Sequence, residues 1–176
     1  TFVDAVRATG GHNADRCLAI TSYYAKPRWA VEGLQLPEDC VENRLLVAVH
    51  SYDPWWFAGT AEQTSWGKNS PYGTDEQEID RMMESLYNKW IVNGVPVYMG
   101  EFGAVHQLTD EARAEQYRYL AYFVHTANRF GIPCLLWDNG VDHLGEDAFG
   151  FINHGTGDWV HNYGQAAVQA ILNANE

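Results

Sequence analysis

Basic residues are scarce in this sequence. Its 176 residues include 11 Lys and Arg against 23 Asp and Glu, a formal net charge of −12. Phosphate contacts need basic clusters, so neither nucleic acid nor an anionic membrane is expected as a partner. No apolar run approaches the roughly 20 residues that cross a bilayer. The segment Thr1–Arg7 has no basic head and no long apolar stretch, so it is not a signal peptide. Cysteine is also sparse. Cys17, Cys40 and Cys134 cannot all pair and none stands in a metal-binding spacing. Cys17 and Cys134 fall within apolar runs and are expected as small buried hydrophobes. His12, His143, His154 and His161 show no ligand spacing, so no catalytic metal and no cofactor is implied. A Gly-rich phosphate loop after a strand is missing, as is the Gly-x-Ser-x-Gly elbow of an α/β hydrolase.

Aromatic residues, by contrast, are abundant: 14% of the chain, with 7 Trp and 10 Tyr. They suit either a rich core or a cleft lined with flat faces that stack on sugars. The length fits one domain spanning 1–176. Two helices carry clear signals. Thr74 and Gln77 form a capping-box pattern, followed by Ile79, Met82, Met83, Leu86 and Trp90 at helical spacing, with Gly94 as the stop. A second helix runs from about Thr109 to Phe130 and ends at Gly131, and a third is expected from Trp159 to Asn173.

After the first two helices the same phrase recurs. Gly94-Val95-Pro96-Val97-Tyr98 matches Gly131-Ile132-Pro133-Cys134-Leu135: a glycine stop, an apolar residue, a proline, an apolar run. These runs are too short for helices and alternate little, as strands covered on both faces do. Cys17–Ile20 and Leu45–Val49 are two more. Strands alternating with helices mean a parallel α/β sheet. The last three strands end in residues capable of chemistry: His50-Ser51-Tyr52, Gly100-Glu101 and Trp137-Asp138-Asn139. Active sites built from several strand tips belong to barrels, so we expect half of a (β/α)8 barrel.

His50 and Tyr52, two apart on a strand, share a face. With Glu101 and Trp137 they would bring an imidazole, a phenol, a carboxylate and an aromatic floor to one mouth. That set suits glycoside cleavage, in which a carboxylate attacks the anomeric carbon and a second carboxyl group serves as acid, then base. The runs "RATGGHNADRCLAI", "RLLVAVHSYDPWWFAG", "PVYMGEFGAV" and "GIPCLLWDNG" resemble, in order, the C-terminal half of glycoside hydrolase family five. They are most similar to its bacterial endo-β-1,4-glucanase and xyloglucanase branch. The resemblance implies strands five to eight of the barrel and a secreted enzyme acting on β-glucan, whose signal peptide lies outside this chain. It implies Glu101 as nucleophile, Tyr52 hydrogen-bonded to it, His50 near the acid/base, and Trp137 as the platform beneath the sugar at the cleavage point. The family's acid/base is the Glu of an Asn-Glu-Pro motif. No such motif occurs here, and Asn175-Glu176 has no proline after it. The motif is expected upstream of Thr1.

Around this set we expect Trp66 as a further substrate platform, ahead of Trp55 and Trp56, and Asn139 as a donor to a sugar hydroxyl. Asp53 and Asp138 are expected as hydrogen-bonded loop acids, Glu146 and His106 as surface residues. A half barrel exposes two strand edges and half of its packing layers. The chain is therefore expected to pair with its missing N-terminal half or with a second copy of itself, and to hydrolyse little alone. A carbohydrate-binding or self-associating fragment without catalysis is the alternative.

Overall fold

Four apolar runs form four strands, β1 (Leu18–Thr21), β2 (Leu45–Ser51), β3 (Val97–Phe102) and β4 (Cys134–Leu136), paired in parallel in that order. The computed structural model describes residues 1–174; the pair Asn175-Glu176 lies outside the described residues. Parallel neighbours need long crossovers, and each crossover here contains a helix. Helix α1 (Phe2–Arg7) precedes β1, and α2 (Pro27–Glu32) joins β1 to β2. A short α3 (Trp55–Ala58) and the longer α4 (Asp75–Lys89) join β2 to β3. Helix α5 (Asp110–Arg129) joins β3 to β4, and α6 (His161–Asn173) follows β4. This succession is an arc of a (β/α)8 barrel.

The helices cover one face of the sheet. Val47, Val49, Val97, Met99 and Phe102 join Ile79, Met83 and Leu86 of α4 and Tyr119, Leu120 and Phe123 of α5 in one buried cluster. Phe102 stacks on Phe123, with ring centroids 4.8 Å apart. The opposite face is open. Leu135, between two residues of β4 that pack on the core, is 52% exposed.

Helix ends follow the sequence closely at α5, whose N-cap Thr109 accepts a hydrogen bond from the Ala112 N–H at 3.2 Å. At α4 the capping box does not form. Thr74 donates instead to the Glu78 carboxylate at 3.1 Å, and Gln77 accepts from Arg81. The structural work falls to Asp75, which is buried and accepts from the Gly67 N–H at 3.1 Å. Cys17 also departs from expectation: it is exposed, because it precedes an edge strand. Cys134 is half-buried, and burial pushes its thiol up to about 12.

Leu120 of α5 is fully buried in the cluster that joins the helices to the sheet. Leu120→Ala is expected to cost about 2–5 kcal/mol, read as a lower midpoint in urea unfolding.

Candidate active site

Alternation along β3 would send Glu101 the wrong way. Val97 and Met99 face the helices, so residue 101 would follow them in a regular strand. The β2–β3 pairing slips, however. Val49 pairs with Met99, yet His50 pairs with Glu101, leaving Gly100 as an extra residue. Such a bulge re-aims the side chains beyond it. Phe102, not Glu101, turns into the helix layer, and Glu101 reaches the open face with about a third of its side chain exposed. Gly100 suits this place because the His50 ring lies across it. A Cβ at position 100 would sit 3.0 Å from His50 Nε2 and 3.2 Å from the Tyr98 ring.

His50 and Tyr52 converge on one oxygen of Glu101. The Tyr52 hydroxyl donates to Oε2 at 2.9 Å, and His50 Nδ1 lies 3.3 Å from the same atom. A carboxylate oxygen can only accept, so the contact is favourable when Nδ1 carries its proton. Oε1 has no protein partner among the described residues. Burial, and then the Glu101 carboxylate, push the Tyr52 phenol well above its ordinary value, so it stays a donor at any working pH. The Tyr52 ring is itself held by perpendicular contacts with Phe149 and Trp55, at 5.5 and 6.4 Å between centroids.

Trp137 follows β4, its N–H bonded to the Phe102 carbonyl at 2.9 Å, and is 39% exposed at the mouth. Asp138 is a loop acid, as expected. Its Oδ1 accepts from the Gly140 N–H, and its Oδ2 from those of Phe151 and Ile152. Asn139 is held by its own loop: one N–H of its Nδ2 donates to the Asp147 carbonyl at 2.7 Å and its Oδ1 accepts from the Val141 N–H. The second N–H of that amide is left for another acceptor.

Trp66 is a correction. It is fully buried, packed against Tyr119 and Tyr122 at 5.5 and 5.4 Å with the Arg118 guanidinium over its ring. The connection that carries it folds back onto α5, so its indole is core, and the hollow it borders is walled by Glu76, Arg118 and Tyr122 rather than by Glu101, His50 or Tyr52. Trp55 and Trp56, ranked below it from sequence, are 50% and 57% exposed.

His106 is the second correction. Far from the surface, it is fully buried; its Nε2 lies 2.8 Å from the Gly150 carbonyl and its Nδ1 3.2 Å from Gln116 Nε2. Only the neutral ring satisfies both: Nε2–H donates to the carbonyl and Nδ1 accepts from the amide. Burial holds its pKa below the ordinary value. His106 also bonds through its backbone to Ala148 and Gly145, which fixes the loop carrying Phe149 against Tyr52. A single histidine directly after Ala104-Val105 gives no sequence sign of this role.

Among the described residues no group of three or more His, Cys, Asp or Glu is placed to hold a metal ion. A cavity of about 380 Å³ between α2 and α4 includes none of Glu101, His50, Tyr52 or Trp137 in its walls. The site is instead an open shelf at the C-terminal tips of β2, β3 and β4.

A carboxylate, its hydrogen-bond donors and an exposed indole gather at the C-terminal tips of parallel strands, the end at which barrels of this kind build their active sites. The family model "Cellulase (glycosyl hydrolase family 5)" matches residues 1–143, and the chain belongs to that family. It is 34% identical over 159 residues to endoglucanase 1 of Ruminococcus albus, covering 90% of this chain and 37% of that protein. It is 34% identical over 154 residues to a xyloglucan-specific endo-β-1,4-glucanase of Bacteroides ovatus, covering 79% of this chain and 30% of that one. A Bacteroidetes-affiliated family 5 cellulase, linked with a polysaccharide utilization locus, superposes with a TM-score of 0.93 at 43% identity. That match covers 99% of this chain and 45% of the other. A Caldicellulosiruptor lichenase variant, solved in complex with cellotetraose, superposes at 0.85 with 32% identity, covering 99% and 47%. The chain thus spans less than half the length of these relatives.

The depressed pKa of His106 sets a pH dependence. The unfolded ring takes up a proton below about 6.5 while the folded ring resists. Its contribution to stability is therefore full above that value and is lost as pH falls below it. Urea midpoints at pH 7.5 and 5.0 are expected to differ less in His106→Gln than in the parent, because Gln keeps a donor but cannot titrate.

Proposed function

We propose that this chain supplies the nucleophile-bearing half of a retaining endo-β-1,4-glucanase. The observation that carries the reading is the pair of groups on one oxygen of Glu101, with the other oxygen unpartnered. Hydrogen bonds to a carboxylate favour its charged form and fix its direction. Glu101 Oε1 attacks the anomeric carbon as the bond to the leaving sugar oxygen breaks, and that oxygen takes a proton from a second carboxyl group. Water, deprotonated by the same group, then displaces Glu101 and gives a product of retained configuration. We place that second group on polypeptide outside this chain, since none of the described carboxylates shares the Glu101 site. Trp137 supports the sugar under attack.

The relatives' substrates favour a β-glucan: cellotetraose is bound by the lichenase, and xyloglucan is named for the Bacteroides enzyme. A polymer too large to enter a cell is cleaved outside it, so we also propose a secreted enzyme. A non-catalytic sugar-binding fragment accounts less well for the site, because stacking on a sugar needs no aimed and partnered carboxylate.

In the full-length protein, Glu101→Gln is expected to lower turnover of a soluble β-glucan at least about 10³-fold while oligosaccharide binding persists. NMR of the first product should show the β-anomer. Unchanged turnover in Glu101→Gln, or an α-anomer released first, would sink the reading.

The open face and the two edges of the sheet call for a covering partner, which we take to be the N-terminal half of the barrel or a second copy. Light scattering of the 176-residue chain alone is expected to give more than the mass of one chain, and the sample to be inert toward glucan. A well-folded monomer would contradict this.

A further inference from the structure

The open shelf has aromatic surface on both sides of Glu101. Trp137 stands beyond β4, on one side of β3; Trp55 stands after β2, on the other. Trp55 begins α3, and Gly59 lies one turn along at its end, its N–H bonded to the Trp55 carbonyl at 2.7 Å. A Cβ at position 59 would fall 2.5 Å from Trp55 Cε3 and 2.6 Å from Cδ2 and Cζ3. The indole therefore lies flat across the bare glycine backbone. One face is packed there, and half of the side chain remains in solvent. Its ring also meets that of Tyr52 perpendicularly, at 86°. Tyr52 is the residue that donates to Glu101, so this indole stands one ring away from the nucleophile. Trp56 is equally exposed but makes no ring contact among the described residues.

An exposed indole fixed on one face and free on the other is a platform. Ordering it in advance removes a cost that a mobile side chain would pay on binding. We propose that Trp55 stacks the sugar on the leaving-group side of the scissile bond, opposite Trp137. The proposal rests on the glucanase reading above. A β-1,4-linked glucose presents flat C–H faces, and a chain lying over Trp137 and Glu101 continues toward Trp55 once it passes the bond to be cut.

The test uses the full-length enzyme and two substrates. Cellotetraose needs a sugar on the leaving side, whereas β-cellobiosyl fluoride leaves an ion with no ring to stack. Any effect of Trp55→Ala through Tyr52 falls on both substrates alike, so the variant is expected to lower kcat/KM for cellotetraose roughly tenfold more than for the fluoride. Trp55→Phe should recover part of the loss. Gly59→Ala should reproduce it with the indole still present, because the new methyl displaces the ring. Equal losses on both substrates would mean that Trp55 only holds the fold or Tyr52, and no loss on cellotetraose would mean that it touches no sugar; either result overturns the proposal. Glu101→Gln separates the two levels. If that variant keeps its activity, the reaction itself is misassigned; if it is dead while Trp55→Ala behaves as the parent, only the platform is wrong.

Discussion

One surplus residue in a strand decides what this sheet can do. A regular β3 would bury Glu101 among Phe123, Leu120 and their neighbours, where an unpaired carboxylate is costly. The slip at Gly100 turns the acid to the open face and gives its place in the helix layer to Phe102. The bulge needs a residue without a side chain, since the His50 ring occupies the space a Cβ would take. Position 100 therefore sets two things together: the direction of Glu101 and the seat of the histidine that contacts it.

Support for the site then spreads outward in layers. Tyr52 holds Glu101, Phe149 and Trp55 hold the Tyr52 ring, and the loop carrying Phe149 is fastened to His106 by hydrogen bonds at 2.7 to 2.8 Å. His106 in turn leans on Gln116 of α5, whose amide also reaches the Ala104 carbonyl. A neutral, buried, doubly hydrogen-bonded histidine is a stiff fastener, and stiffness is what the proposed role of Glu101 requires.

The strand tips were legible in the sequence because each signal was local. Short apolar runs, glycine stops and a two-residue spacing between His50 and Tyr52 all act within a few positions. The bulge was not legible: alternation alone aims Glu101 into the core, and only the neighbouring motif argued otherwise. Trp66 was misjudged for a related reason. A tryptophan on a long connection looks exposed until the connection is seen to fold under Arg118 and against Tyr119. Trp55 earned less notice than it merits, since its fixity comes from Gly59, and no periodicity marks an indole that rests on a glycine. Asn139 lies at the strand tip where its motif placed it, and its loop bonds fix the direction of the amide.

The two carboxyl groups of a retaining glycosidase need opposite environments, one holding charge and the other holding a proton. We propose the first role for Glu101, which has a phenol and an imidazole nitrogen at one oxygen, solvent access, and no second acid bonded beside it among the described residues. In the proposed reaction the second group, which must hold a proton, lies where these donors do not reach, across the shelf from β2 and β3. The sheet is bare in that direction, with Leu135 half in water and β1 and β4 unpaired along their outer sides. Chemistry and packing thus ask for the same thing at the same face: polypeptide that covers the apolar shelf and carries an acid in surroundings unlike those of Glu101.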